Sequence, residues 1–280
     1  MEPLLTLAVQ SVLLAARGSG YGSVRCSLDL GRSTVPVTVE PEGWLWQERR
    51  YPYPETLKER TVYYWSGEAF APIARFTRSL TKLVPTEWGP PTFEIDGIKM
   101  LPTARVSPYA DAQRKVALIE PRGKRLLDTC GGLGYFAGCS LAAGAREVLS
   151  FEHDPDVIWL RSLNPWSPDH RWTAKPAGLT LKCANTVAEI AALPAHCMDA
   201  VLHDPPRFGI AGDLYSQHFY QQLARVLRPG GALFHYVGSP NRLTSGRDVP
   251  REVSRRLQRA GFTVEFRGDG ILARRSSRGH

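Results

Sequence analysis

The run Val201-Leu202-His203-Asp204-Pro205-Pro206-Arg207-Phe208 puts an acidic side chain at the end of an apolar stretch and fixes the chain behind it with two prolines. Proline has no N–H and holds the residue before it extended, so such a bend keeps its carbonyls free to accept hydrogen bonds. A carboxylate and a free carbonyl can together hold both hydrogens of an exocyclic amine, which aims the nitrogen lone pair at an electrophile beyond it. Asp204, Pro205 and Pro206 are therefore the candidate catalytic turn. Arg207 and Phe208 are the side chains placed to meet a planar group carrying the amine, the first through its guanidinium plane. The same three residues also make an ordinary strand-ending turn, which is the competing reading.

A second constellation, Leu126-Leu127-Asp128-Thr129-Cys130-Gly131-Gly132-Leu133-Gly134-Tyr135-Phe136-Ala137, passes from an apolar strand through glycines into a helix. Gly132 and Gly134 let a cofactor approach the backbone with no Cβ in the way, and Ala137 lets helix and strand pack closely. Glu152 follows at the end of the next apolar run, where a carboxylate can accept two ribose hydroxyls. Loop and acid would suit NAD equally. Asp128 separates the two cofactors: an acid at the tip of the first strand suits the cationic, amine-bearing end of S-adenosylmethionine (SAM) and repels a pyrophosphate. Cys130 and Tyr135 of the loop, and His153 beside Glu152, are further candidate cofactor contacts. Asn185 is either a contact to the adenine amine through its side-chain oxygen or simply a helix cap.

His203 and His235 fall at strand ends toward the expected cleft and could accept a proton near neutral pH, although a lone histidine on a buried strand is more often a satisfied core residue. Tyr215, His235 and Tyr236 are candidate walls of a substrate pocket.

The elements that position these groups alternate. Apolar runs at 125–130, 147–153, 180–183, 199–204 and 232–237 are short, and helical patterns separate most of them. Parallel strands need crossover connections, so this alternation implies a parallel sheet wrapped by helices. The last two runs, 263–267 and 271–275, are joined only by Gly268-Asp269-Gly270, which predicts a hairpin and one antiparallel strand at the end of the sheet. Ahead of this lie short β-type runs at 24–30, 35–39 and 61–65, then a proline-dense passage. The reading is a strand-rich accessory domain over 1–105 and a cofactor-binding α/β domain over 106–280.

These residues resemble two described groups. Asp204-Pro205-Pro206 is similar to the (D/N/S)-P-P-(Y/F/W) signature of amino-methyltransferases, with Arg207 in place of the aromatic residue. Residues 91–100, 127–135, 163–167, 203–208 and 233–240 resemble, in order, five motifs of a group of predicted methyltransferases best represented in archaea, whose Arg after D-P-P is shared. The resemblance implies a class I SAM-dependent methyltransferase with a Rossmann-like sheet. Its implied substrate is an exocyclic amine of a nucleobase in RNA, the most specific target being N4 of cytidine in ribosomal RNA. Ala211-Gly212-Asp213-Leu214-Tyr215-Ser216 with Phe219-Tyr220 also resembles spermidine synthases, which share the fold and transfer an aminopropyl group to a polycation. A catalytically silent RNA-binding relative is the third possibility.

The formal net charge is +8, and ten arginines against four acids give +6 from Arg242 to the end, which favours an anionic partner and RNA in particular. Arg251, Arg255 and Arg259 recur every four residues on an expected helix capped by Asp248, forming a basic stripe. In the N-terminal part, Arg49, Arg50, Lys58, Arg60, Arg75, Arg78 and Lys82 are interleaved with Tyr51, Tyr53, Tyr63, Tyr64 and Trp65. That mixture suits phosphate contact and base stacking, or the aromatics are simply core. Five cysteines without a CxxC pair argue against a zinc knuckle or a secreted disulfide framework, and no metal is expected. The apolar start, 4–14, is short and interrupted and reads as an amphipathic helix with Leu5, Val9, Val12 and Leu13 on one side, so no membrane span and a cytoplasmic location are expected.

Overall fold

The computed structural model describes all residues except 21, 207–210, 239–247 and 278–280. The chain divides into two compact units, Met1–Tyr109 with Trp159–Ala174, and Ala110–Ile158 with Lys175–His280. This division is not contiguous, unlike a single cut near residue 105: the segment after Ile158 belongs with the N-terminal residues.

In the first unit, helix Leu7–Gly18 starts at Thr6, whose hydroxyl accepts from the N–H of Val9. Leu5 and Leu13 are buried in the core of this unit and Val9 packs against it, with Gln10 and Ala16 also buried; Val12 is exposed and Leu5 lies in a preceding two-residue strand, so the expected face is corrected at those two residues. The described residues of this unit form three small antiparallel sheets, one of which includes the Leu4–Leu5 strand and another of which is the meander Ser23–Cys26, Val35–Val39, Trp44–Trp46 and Arg49–Tyr51. Tyr51, Tyr63 and Trp65 are buried with Trp44 in the core of this unit, and Tyr51 stacks on Trp44 at 4.6 Å between ring centroids. Of the two roles left open for these three rings, core is the one the structure displays, because burying rings of this size is what holds so small a unit together. Arg50, Arg60 and Lys82 are paired with Glu40 and Glu94 of the same unit.

The large sheet belongs to the second unit. Its strands are labelled β1 (Arg125–Asp128), β2 (Glu147–Glu152), β3 (Leu179–Cys183), β4 (Met198–His203), β5 (Leu227–Tyr236), β6 (Phe262–Arg267) and β7 (Gly270–Arg275). The spatial order is β3-β2-β1-β4-β5-β7-β6, with β1 to β5 parallel and β7 antiparallel to both its neighbours. This is the class I methyltransferase Rossmann-like arrangement, with one antiparallel strand near the C-terminus as the hairpin spacing predicts. β7 is forced close to β5 at Gly270, where a Cβ would collide with the Phe234 ring and lie 2.8 Å from the His235 carbonyl oxygen.

The helices that bear on the site are α1 (Pro108–Ala117), α2 (Tyr135–Ala142), α3 (Pro155–Leu163), α4 (Thr186–Glu189), α5 (Gln217–Val226) and α6 (Val249–Arg259). Leu127, Phe151, Val201 and Leu233 from four parallel strands pack against Phe219, Tyr220 and Leu223 of α5 and Val253 and Leu257 of α6, which is the core that fixes the strand ends. Among the described residues, no helix is long and apolar enough to cross a membrane.

Candidate functional site

In an open α/β sheet the groups available to a ligand lie beyond the carboxyl ends of the strands. Here the register places Asp128 opposite Ser150 and Leu202, Glu152 opposite Cys183, and His203 opposite His235, so five strand ends come level along one edge.

The glycine loop follows β1. Gly132 and Gly134 have φ of +49° and +80°, a left-handed conformation that costs glycine little, and Gly134 caps α2 without a side chain. Gly131 donates to the Phe151 carbonyl at 2.7 Å, which ties the loop to β2. Glu152 holds the loop as well: its Oε2 accepts from the N–H of Gly132 at 2.8 Å and its Oε1 from the N–H of Asp154 at 2.9 Å. Oε1 also faces the Nδ1 of His153 at 3.5 Å, while Oε2 retains a second acceptor direction. Asp128 is buried and its Oδ2 accepts from the Ser150 hydroxyl at 2.8 Å. Tyr135 is buried at the first position of α2, and burial pushes the partly covered Cys130 thiol well above its ordinary pKa, so it stays protonated. His153 is largely exposed, and the neighbouring Glu152 carboxylate raises its pKa. Asn185 is exposed and caps α4: its side-chain oxygen accepts from the N–H of Val187 at 2.9 Å. Of the two roles left open for it, the cap is the one the structure displays, and the oxygen expected to meet adenine is engaged in it.

Asp204 follows β4 directly. Only 16% of its side chain is exposed, and its Oδ2 lies 3.2 Å from the ammonium of Lys115 on α1. Lys115 is buried, lies 2.8 Å from Asp111 one helical turn back, and sits 4.1 Å from the ring centroid of Tyr236 at the end of β5. Arg114, its neighbour, pairs with Asp111 at 2.8 Å and with Asp269 of the β6–β7 turn at 2.7 Å. Burial raises the pKa of Asp204, with Lys115 opposing that rise. For Lys115, burial alone would lower the value, but Asp204 and Asp111 outweigh it and hold the ammonium above its ordinary pKa. Nothing in the sequence marked Lys115. The (i, i+4) spacing of Asp111 and Lys115 signals an ion pair, but such pairs are usually solvated, and only the packing of α1 brings this one to Asp204.

The remaining candidates separate. Tyr215 ends a turn over Gly212–Tyr215, is nearly fully buried, and donates its hydroxyl to the Pro206 carbonyl at 3.0 Å. Tyr215 thus braces the diproline turn and does not present its hydroxyl to a substrate. The Pro206 carbonyl, expected to be free, already has one partner. His235 is likewise corrected. It is fully buried, its Nδ1 donates to the Tyr236 carbonyl at 2.7 Å, and its Nε2 accepts from the Tyr220 hydroxyl at 2.9 Å. Burial pushes its pKa down to about 3, so it is a neutral core residue and not a substrate contact. His203 has the same character. It is buried, bonded to the Thr129 hydroxyl at 2.7 Å and the Leu214 carbonyl at 3.1 Å, and held well below its ordinary pKa by burial and by His235. Arg207 and Phe208 lie outside the described residues.

A cavity of about 380 Å3 opens beside the end of β5, lined by Val237, Gly238, Asp248, Pro250, Arg251, Phe266, Gly268 and Gly270. Arg251 and Arg255 are exposed on α6 with Arg259, and Asp248 caps that helix by accepting from the N–H of Arg251 at 3.2 Å. Phe266 is 57% exposed and was not among the expected contacts, because a phenylalanine in a strand normally signals core.

No protein-family model matches the chain. An uncharacterized protein of Methanocaldococcus jannaschii is 42% identical over 182 residues, 65% of this chain and 61% of its own length, so the chain spans less than two thirds of that relative. A solved spermidine synthase in complex with the transition-state analogue AdoDATO superposes with a TM-score of 0.57 at 15% identity, over 73% of this chain and 72% of that one. Spermidine synthase from Thermotoga maritima gives a TM-score of 0.55 at 15% identity over 73% and 72% of the two chains. At this identity the likeness establishes a shared fold.

Proposed function

We propose that this chain is a SAM-dependent methyltransferase that modifies an exocyclic amine of a nucleobase in RNA, with N4 of cytidine in ribosomal RNA as its most specific target. The observation that carries the reading is Asp204: a mostly buried carboxylate just past β4, on the same sheet edge as the glycine loop, with Oδ2 held by a buried ammonium.

The donor set fits the cofactor. Glu152 is pinned by two backbone N–H groups, and its Oε2 keeps acceptor capacity suited to a ribose hydroxyl. Asp128 supplies negative charge at the tip of the central strand for the cationic end of the molecule, and two left-handed glycines remove side chains from the loop between them. SAM, when bound, contributes a methyl group already activated by a positive sulfur.

This leaves positioning to the chain. Asp204 accepts an N–H of the amine and orients the nitrogen lone pair toward the methyl carbon. The amine that received the methyl group would become more acidic and have to lose a proton. Asp204 is then the nearest base for the proton it sheds. Tyr215, by bracing the Pro206 carbonyl, keeps the turn from relaxing during this exchange.

RNA is supported by the exposed Arg251 lining the cavity and by the exposed Arg255 on the same helix, with Phe266 offering an aromatic face at the cavity. The test is paired. SAM binding followed by calorimetry should be lost in Glu152→Ala and kept in Asp204→Ala, while methyl transfer to RNA collapses in both. Nucleoside mass spectrometry from a strain lacking the gene should then show one methylated cytidine missing. A chain that binds NAD but not SAM would end this reading.

The aminopropyl-transfer alternative is favoured by the spermidine synthase fold. It needs decarboxylated SAM to bind more tightly than SAM itself.

A further inference from the structure

Lys115 holds Asp204 in the proposed chemistry but has no role toward the acceptor in it. Its ammonium lies between Asp111 at 2.8 Å and Asp204 at 3.2 Å, under the Tyr236 ring at 4.1 Å and near the Phe136 ring at 5.6 Å. Two carboxylates and an aromatic face are what a protein assembles to hold an alkylammonium ion. Here the ion is the chain's own.

The other charged groups around Asp204 come from each element packed near it. Asp111 and Arg114 lie on α1, Asp269 lies in the β6–β7 turn, and Arg114 bridges the two acids. Tyr236 on β5 and Tyr215 before α5 are phenols held neutral, both raised by burial and by Asp204. Each of the three acids thus already has an internal cation within 3.2 Å. An incoming ammonium that reached for Asp204 would meet the like charge of Lys115 a few ångströms away in a shielded site. A neutral aromatic amine meets no such repulsion and can donate its N–H to the acceptor capacity of Asp204 that Lys115 leaves free.

We propose that Lys115 is a specificity-determining residue, which fills the acidic cage with its own ammonium and so restricts the acceptor to a neutral amine, excluding polyamines. This inference rests on Asp204 being the group that receives the acceptor, as in the methyl-transfer reading above.

The test titrates putrescine, then spermidine, into the full chain by calorimetry. Wild type should bind them only weakly. Lys115→Ala should gain affinity by about tenfold or more, since the cage then faces the probe with its cation removed. The gain should vanish in the double variant Lys115→Ala/Asp204→Asn, which distinguishes the cage from acids elsewhere on the surface. Lys115→Met keeps the aliphatic stem and drops the charge. It should gain affinity in the same direction, and it serves if the alanine variant does not fold. Wild type that binds putrescine as tightly as Lys115→Ala, or a gain that survives in the double variant, overturns the proposal. A parallel SAM titration keeps the two ideas apart: wild type without SAM affinity ends the methyltransferase reading, whereas the polyamine comparison still reports on Lys115.

Discussion

Two polar pairs stand side by side at the ends of β4 and β5, and they behave in opposite ways. His203 and His235 are fully buried with ring centroids 4.4 Å apart, and both nitrogens of each are bonded inside the protein. One residue further along each strand, Asp204 and Tyr236 surround a buried ammonium and keep some exposure. Strand alternation turns successive residues to opposite faces, so a single step in sequence separates a sealed structural seam from one that keeps a partly exposed carboxylate. Polar residues at strand ends are therefore not evidence of a site by themselves. What matters is whether the neighbours have already used up their hydrogen-bonding capacity.

The strongest way to sharpen this contrast is to remove one carboxylate. Asp204→Ala should lower methyl transfer by about a hundredfold to a thousandfold, the range expected when a preorganised group in a shielded site is lost. Lys115 keeps Asp111 at 2.8 Å, so SAM affinity and the melting temperature should change far less. A variant that melts early but turns over normally per folded molecule would reverse the assignment of the two seams.

The mirror experiment is His235→Leu. It strands the buried Tyr220 hydroxyl, which should cost about 1–3 kcal/mol in denaturant unfolding, with the rate per folded molecule preserved. A large loss of rate at unchanged stability would return His235 to the site.

Acid separates the seams in the wild-type protein. The folded-state pKa of His235 is near 3 against an ordinary 6.5, so between those values the unfolded chain binds more protons than the folded one. Stability should then fall as pH drops below 6.5, on the order of 2 kcal/mol by pH 5 from this residue. His235→Leu should flatten that slope, and an unchanged slope would show that other groups carry it.

The smallest effect is expected at Asn185. Replacing this α4 cap by alanine should cost about 1 kcal/mol of stability with little change in SAM affinity. A marked loss of affinity at preserved stability would show that the residue also reaches the cofactor.

Much of the unit that holds the large sheet is legible in the sequence because its signals are local. Short apolar runs separated by helical patterns specify parallel strands, and the three-residue Gly268-Asp269-Gly270 link requires a hairpin. All seven strands appear within a few residues of where those runs place them, β5 beginning earliest at Leu227. The glycine loop, Glu152 and Asp204 are equally local, since each is a residue type at a strand terminus. The ambiguities and errors share one cause. Tyr51, Tyr63 and Trp65 read as an aromatic surface or as core, and Tyr215 and His235 as pocket walls, because sequence reports chemical type but not which polar atoms other elements have already taken.

By itself, then, the amino-acid order determined the sheet, its antiparallel ending, the glycine loop and the two acids at the strand tips, all of which follow from backbone preference and periodicity over a few residues. Tertiary packing alone decided that Lys115, 89 positions from Asp204, would be driven into the interior beside it, and that two histidines in the same layer would be sealed off. Burial is a property of what surrounds a group, and those surroundings come from distant parts of the chain that no local pattern records.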